Sequence, residues 1–287
     1  MPLVRLLPLS GLVALLSCAA ACGSRDGDEP VARKVPPPTG NGALIRDISN
    51  PTGPKKVPSG STVAVTGAVV IAIDTFDETR NGRSAGTIYV ADLGSDQPYS
   101  GISLYNPSFV PGNLRVGPGD TLDLRGVFQE NNEVPVKFAP DAFLIQLATP
   151  VASLRFDAQV PQPVVINIDD LADYSKGRQW QNMLVKVENV KLQRDARRAT
   201  SGRTSVGLLP DPPPPDASAG RVCLTGTPPP CCEDPFPKAP TLVNELSDLG
   251  PLEPRLKKDV VVKSITGIVT FFCNLHIAPR SPSDIEL

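Results

Sequence analysis

Residues 61–74 read STVAVTGAVVIAID, a run rich in valine and isoleucine that is interrupted by Gly67. β-branched residues favour extended strands, and an isolated glycine inside a strand pattern indicates a bulge or a sharp bend. The stretch therefore predicts a long strand that bends strongly along its length. Bent strands of this kind build small closed barrels, in which interior positions alternate with exterior ones.

Shorter strand patterns follow on the C-terminal side. They are TIYVADL at 87–93, GISLY at 101–105, VGPGDTLDLRGVFQE at 116–130 and a last apolar stretch at 134–147. An Asn-Gly pair at 81–82 marks a hairpin between the first two strands. About five strands bent by internal glycines, without a convincing amphipathic helix, predict a small barrel over residues 61–150.

The second half of the chain repeats this scheme. Residues 183–193 (MLVKVENVKLQ) parallel 62–74, and residues 259–270 (DVVVKSITGIVT) parallel 120–129. In each half a glycine followed by an apolar residue precedes an Ala-Pro pair, namely Gly126-Val127 with Ala139-Pro140 and Gly267-Ile268 with Ala278-Pro279. We therefore predict an all-β protein of two tandem OB-like barrels, the second spanning residues 151–287.

The same segments carry a resemblance to a known group. VTGAVVIAIDTF, GTIYVADLG and VGPGDTLDLRGVFQENNEV resemble the OB-fold modules that accompany secreted bacterial nucleases of the endonuclease/exonuclease/phosphatase type. MLVKVENVKL and SITGIVTFFCNLHIAPRSPSDIEL resemble the companion module. The resemblance covers residues 61–287 and implies the tandem OB-like architecture. It also implies an accessory role beside a separate secreted hydrolase, but no nuclease activity, because no nuclease domain is attached.

Residues 1–24, MPLVRLLPLSGLVALLSCAAACGS, have the form of an export signal. Arg5 precedes an apolar run at 6–16, and small residues surround two cysteines. The run is shorter than the ~20 residues of a transmembrane helix. We expect a signal peptide over residues 1–21, similar to that of bacterial lipoproteins, with the lipid on Cys22 or Cys18. A plain secretory signal is the alternative.

An envelope address follows from this signal. No aspartate follows either candidate cysteine, which by resemblance to Gram-negative sorting points to the outer membrane, on its periplasmic or surface face. Residues 22–60 contain three consecutive prolines at 36–38 and show no apolar periodicity, so we expect a disordered Pro-rich tether there.

Four cysteines remain in the C-terminal half, and in an oxidising compartment an even number favours disulfides. Bonding of Cys231 to its neighbour Cys232 would strain the intervening peptide. Two pairings stay open: Cys223–Cys231 with Cys232–Cys273, or Cys223–Cys232 with Cys231–Cys273. Zinc is the weaker alternative, because the C-x7-CC spacing lacks a C-x2-C pair.

Composition limits the function. The formal net charge is −2 and aromatic residues make up 5% of the chain, which disfavours nucleic acid as a partner. A Ser-His-Asp set would have to use the single histidine, His276, for which we predict a surface position on a strand. Asp169, Asp170 and Asp173 lack the spacing of a calcium loop, and one of them is expected to cap a short helix. We therefore expect no catalytic residue, metal or cofactor.

The aromatic residues of the first barrel supply a candidate ligand face. Tyr89, Tyr99 and Tyr105 lie on or beside predicted strands, and OB-folds bind ligands on a barrel face. We thus expect a membrane-anchored, non-enzymatic envelope lipoprotein that binds a small ligand or an envelope protein. The alternative is an accessory substrate-binding subunit, nucleic-acid directed, of a separate hydrolase.

Overall fold

The protein is built from two β-sheets joined in sequence. The computed structural model describes residues 42–93, 96–131, 143–158, 162–200, 202–213, 239–272 and 274–287. All of them belong to one compact unit, Pro36–Leu287. Within the described residues, no helix is long and apolar enough to cross a membrane.

The first sheet follows a short helix, α1 (Ile45–Ser49), and has six strands: β1 (Thr62–Ile73), β2 (Ile88–Asp92), β3 (Gly101–Tyr105), β4 (Ser108–Val110), β5 (Asp120–Asn131) and β6 (Leu144–Ala158). The pairings run β1–β2–β3–β6–β5 and back to β1, so five strands close into a barrel, and β4 adds to β6. All contacts in the ring are antiparallel except β3–β6, in which Ser103 lies beside Gln146.

The second sheet closes in the same way. Its strands are β7 (Val164–Val165), β8 (Leu184–Leu192), β9 (Arg197–Arg198), β10 (Thr204–Pro210), β11 (Thr241–Val243), β12 (Val261–Phe272), β13 (Asn274–Ala278) and β14 (Ile285–Glu286). The ring is β8–β10–β11–β13–β12–β8, and its one parallel contact is β11–β13. Both barrels therefore share one strand order, and the prediction of two tandem OB-like barrels is confirmed.

The fourth strand of each five-stranded ring, β5 in the first barrel and β12 in the second, carries a glycine at the same place. Gly126 on β5 lies beside Val63 of β1, and Gly267 on β12 lies beside Val185 of β8. A Cβ at Gly126 would meet Pro150 Cα at 2.9 Å, and one at Gly267 would meet the carbonyl oxygen of Ala278 at 2.7 Å. Both glycines are required because the backbone of the fifth strand passes over them.

The Ala-Pro part of the proposed repeat needs correction. Ala278 pairs with Ile268, and the residue that pairs with the corresponding Val127 is Ala148. Ala148 is thus the counterpart of Ala278. Ala139-Pro140 lies outside the described residues.

The predicted domain limits are also wrong at two points. Residues 42–60 were assigned to the tether, but α1 packs Ile45 and Ile48 into the first core, and Ala43 forms a bridge with Val65. The first barrel also continues past residue 150, because β6 runs to Ala158. A proline is tolerated inside this strand because Pro150 lies at a bulge opposite Gly126, where it removes no ladder hydrogen bond.

The two barrels share a buried apolar junction. Ile71, Ala72 and Tyr89 of the first barrel pack with four residues of the second, Leu184, Leu246, Ile268 and Ala278. Hydrogen bonds extend the contact. The Tyr174 hydroxyl accepts from the N–H of Phe143 and donates to the carbonyl of Phe143, both at 2.9 Å. Ion pairs complete it, because Glu130 binds Lys56 of the N-terminal segment and Arg178 of the second barrel.

Other predicted features are placed as follows. His276 lies on β13, and Asp173 caps the short helix α2 (Tyr174–Gly177) by accepting from the N–H of Ser175. The arginine-containing strand β9 pairs with β10 in a hairpin, where Arg198 binds Asp248 and Glu253. The two cysteines of the signal and the four predicted disulfide cysteines lie outside the described residues.

We predict that Gly126→Ala and Gly267→Ala each lower the free energy of unfolding by about 1–3 kcal/mol, because an added methyl group would displace the backbone of the fifth strand. Gly112→Ala is the matched control, because its Cβ would meet no atom within 4 Å. Urea unfolding followed by circular dichroism measures all three. Equal stability of the three variants would contradict the proposed role of the two glycines.

Candidate functional site

The three tyrosines of the predicted ligand face lie in three different environments. Tyr89 is buried in the junction between the barrels, and its hydroxyl donates to Glu245 Oε1 at 3.4 Å. Tyr105 is 60% exposed at the end of β3. Tyr99 is half-buried and lines a cleft beside α1. The structure therefore does not bring the three side chains into one face, and Tyr89 is not accessible to a ligand, because the second barrel covers it.

The cleft beside α1 is a concave site in the described part of the chain. We call it the α1 cleft; it has a volume of about 770 Å³, within the range of small-molecule sites. Its walls come from α1, the turn that follows it, the β2–β3 connection and one residue of the second barrel. The lining residues are Leu44, Arg46, Asp47, Asn50, Gly53, Pro54, Asp92, Leu93, Asp96, Gln97, Pro98, Tyr99 and Gln179.

Asp92 fixes the helix that forms one wall. It ends β2 and is 5% exposed, and its carboxylate accepts from the N–H groups of Ile45 at 2.6 Å and of Arg46 at 3.0 Å. These donors belong to the first turn of α1, where N–H groups have no partner within the helix. Burial raises the pKa of Asp92 to about 6, although both hydrogen bonds favour its charged form.

The opposite wall is tied to the second barrel. The N–H of Tyr99 donates to the carbonyl of Gln179 at 2.7 Å, and the Ser49 hydroxyl donates to the carbonyl of Tyr99 at 2.7 Å. Tyr99 has a φ of +66°, which an L residue adopts only where its surroundings hold it. The cleft is thus positioned by contacts from both barrels.

The charge of the α1 cleft is acidic. Asp47, Asp92 and Asp96 stand against one arginine, Arg46, and Lys55 at the rim binds Asp47 at 2.9 Å. Amides of Asn50, Gln97 and Gln179 provide further donors and acceptors. A lining of this kind can hydrogen-bond hydroxyl, amide or ammonium groups, and it repels anions.

A second polar cluster lies inside the junction. We call its three members, Asp74, Glu78 and Glu245, the junction carboxylates. Glu245 accepts from the hydroxyls of Thr270 at 2.6 Å and Tyr89 at 3.4 Å, and Glu78 binds Arg203 at 2.9 Å. Burial raises the pKa values of Glu245 and Tyr89, and it raises that of Asp74 to about 7, with Glu245 and Glu78 adding to the effect on Asp74.

The residue pattern had not pointed to Asp74 or Asp92. Each follows an apolar strand, and a polar residue in that position ordinarily marks the start of a surface turn. Among the residues that the structure describes, no three His, Cys, Asp or Glu side chains are grouped closely enough to hold a metal ion.

Comparison of the chain with protein-family models, curated proteins and solved structures found no match.

We predict that Asp92→Ala destabilises the protein by about 1–3 kcal/mol at pH 7, because two buried N–H groups lose their acceptor. Asp96→Ala, an exposed aspartate of the same cleft, should stay within about 0.5 kcal/mol of the parent. Urea unfolding gives the free energies, and hydrogen exchange of residues 43–50 shows whether the loss is at α1. Unchanged protection of this segment in Asp92→Ala would contradict the role assigned to the carboxylate.

Proposed function

We propose that this protein is a non-enzymatic binding lipoprotein of the cell envelope and that the α1 cleft holds its ligand. The observation that carries the proposal is the cleft itself, a concave site of about 770 Å³ whose polar side chains converge beside a fixed helix. Small-molecule sites combine such a shape with a few placed polar groups. The ligand is a small polar molecule, neutral or cationic.

The acidic lining supports this class of ligand. A polyanion would have to approach Asp47, Asp92 and Asp96 with Arg46 and the rim residue Lys55 to balance them. Nucleic-acid sites instead gather several basic groups, because neutralisation of phosphates dominates their affinity. The alternative of an accessory nucleic-acid-binding subunit is therefore the weaker one, and the resemblance to nuclease-associated modules supports only the tandem-barrel part of that reading.

The absence of a catalytic role belongs to the same proposal. The chain contains a single histidine, His276, which lies on β13 away from the residues that line the cleft. The carboxylates of the cleft have structural partners, because Asp92 holds α1 and Asp47 binds Lys55. Binding is thus what the arrangement supports best.

Anchoring and disulfides complete the proposal. A lipid on Cys22, or on Cys18, would hold the protein at the outer membrane, where its partner is a small ligand or an envelope protein. The compartment is oxidising, so Cys223, Cys231, Cys232 and Cys273 are expected to form two disulfides. The barrel strands Thr241–Val243 and Asn274–Ala278, which follow these cysteines closely in sequence, are adjacent and parallel, and this supports a link between the two segments.

The ligand class can be tested with defined probes. Isothermal titration with chitotetraose (neutral), spermidine (cationic), citrate and a dT12 oligonucleotide (both anionic) should detect binding of a neutral or cationic probe only. Tyr99→Ala should weaken that binding at least tenfold, which corresponds to about 1.4 kcal/mol. Tyr105→Ala, the exposed tyrosine outside the cleft, is the matched control and should change it less than twofold. Binding of the anionic probes alone, or equal loss in both variants, would contradict the proposal.

The anchor is tested by replacing Cys18 and Cys22 with serine, singly and together. Wild-type protein should partition into the detergent phase of a Triton X-114 extract, because several acyl chains together bind membranes stably. The double variant should move to the aqueous phase, and the single variants should show which cysteine carries the lipid. Cys223→Ser controls for loss of a thiol as such. Detergent partitioning of the double variant at the wild-type level would disprove the anchor.

A further inference from the structure

Asp74 has no hydrogen-bonding partner for its charge. It follows β1 directly and is 1% exposed, and both of its carboxylate oxygens are buried without a hydrogen bond in the described part of the chain. The N–H groups of Phe76 and Ala85 favour its charged form but do not reach hydrogen-bond geometry. A buried carboxylate without donors is costly, because it loses its hydration and gains little in return.

The groups that face Asp74 make ionisation harder still. Glu245 reaches it from the segment after β11 and Glu78 from the loop after β1, and both are acidic. Tyr89 on β2 shares the same space. The nearby cation, Arg203, is engaged by Glu78 through Nε at 3.2 Å and Nη2 at 2.9 Å.

Glu245 has the better environment of the two buried acids. It accepts from Thr270 Oγ1 at 2.6 Å, and Arg203 favours its charged form. His276 pairs with Thr270 in the β12–β13 register, so a further titratable side chain lies beside the Thr270 that binds Glu245. The negative charge therefore stays on Glu245 and the proton goes to Asp74, since two carboxylates at close range do not both ionise readily.

We propose that the junction between the two barrels is proton-linked: Asp74 binds a proton in the folded protein, and its neutral carboxyl group stabilises the contact between the barrels. The inference does not depend on the ligand or on the membrane anchor. It concerns how firmly the second barrel holds the first, and hence how firmly Gln179 and Tyr99 are held at the α1 cleft.

The direction of the pH effect follows from linkage. The pKa of Asp74 is raised from 3.8 to about 7 in the folded protein, chiefly by burial. A raised carboxyl pKa contributes stability that is complete below the ordinary value and is lost as the pH rises through the folded value. The junction should therefore be firmest below about pH 4 and weaken between about pH 4 and pH 7.

Asp74→Asn tests this, because the amide is neutral at every pH and nearly the same size. Between about pH 4.5 and pH 6.5 the unfolding free energy of the wild type should fall more steeply with pH than that of Asp74→Asn, by a slope of about one proton. At pH 8.5 the variant should be the more stable of the two. Asp169→Asn, an exposed aspartate of the second barrel, should keep the wild-type slope.

Two further measurements separate Asp74 from its neighbours. His276→Gln should keep the slope, because the proposal assigns the proton to Asp74. A carbon-13 NMR titration of aspartate-labelled wild type should show one carboxyl group with a midpoint near 7, which is missing in Asp74→Asn. The hydrogen-exchange protection factors of residues 88–92 and 244–248, which are corrected for the intrinsic effect of pH on exchange, should fall between about pH 4 and pH 7 in the wild type and not in Asp74→Asn.

The proposal is overturned by any of three results. They are an unchanged slope in Asp74→Asn, loss of the slope in His276→Gln, and an Asp74 carboxyl group that titrates near its ordinary value. If the variant does not fold, the Asp74 carboxyl signal is assigned in the wild type through its backbone resonances, so the NMR titration remains decisive.

Discussion

Burial of Tyr89 between the two barrels is the contact on which the rest of this structure depends. Its ring packs with Ile71, Leu184 and Ile268, and its hydroxyl retains a partner in Glu245. A large aromatic side chain of this kind supplies much apolar area, provided that its polar tip is satisfied. Since the contact joins β2 of the first barrel to the second barrel, it covers the surface where a single OB-like barrel would receive a ligand. The α1 cleft, the proposed ligand site, lies instead at the edge of the junction, where α1 and Gln179 meet.

The strand pattern was readable from the chain because it rests on local chemistry. Stretches rich in apolar residues mark β1, β5, β8 and β12, and the pair of a glycine and an apolar residue in β5 and in β12 indicates a repeat. The parallel closing contacts, β3–β6 and β11–β13, could not be read in this way, since they join strands far apart in sequence. They follow only once Gly126 and Gly267 are understood as places where another backbone crosses.

The N-terminal boundary was misjudged for a related reason. Ile45 and Ile48 are only two apolar residues in a stretch rich in proline and glycine, and two residues do not make a visible period. Their burial depends on Asp92, which lies 47 residues from Ile45 and holds the first turn of α1. The polar residues of interest share this property. Asp74 and Asp92 look like ordinary turn residues in the sequence, and only tertiary packing removes them from water.

The two barrels have one strand order but use unlike surfaces to meet. The first presents the end of β1 and β2, and the second presents β8, β12 and β13, so the contact is heterologous, head to tail. Such a contact could in principle be repeated by a third barrel. Val69 of β1 pairs with the residue five positions before Gly126, and Val190 of β8 pairs with the residue five positions before Gly267. Ala72 and Gln193 each lie three residues further along the chain and therefore occupy corresponding positions. Ala72 pairs with Tyr89 in the first barrel, and Gln193 lies beside Gly207 in the second.

The Gln193 side chain fills the space above Gly207, in which a Cβ would meet its Oε1 at 2.4 Å. A polar amide thus occupies the place that an aromatic anchor holds in the first barrel. The second barrel packs against the first through β8, β12 and β13. It has no aromatic side chain in the position of Tyr89, so it cannot offer a third barrel the same apolar contact. A third barrel therefore cannot attach to the second barrel through the same contact that joins the second barrel to the first.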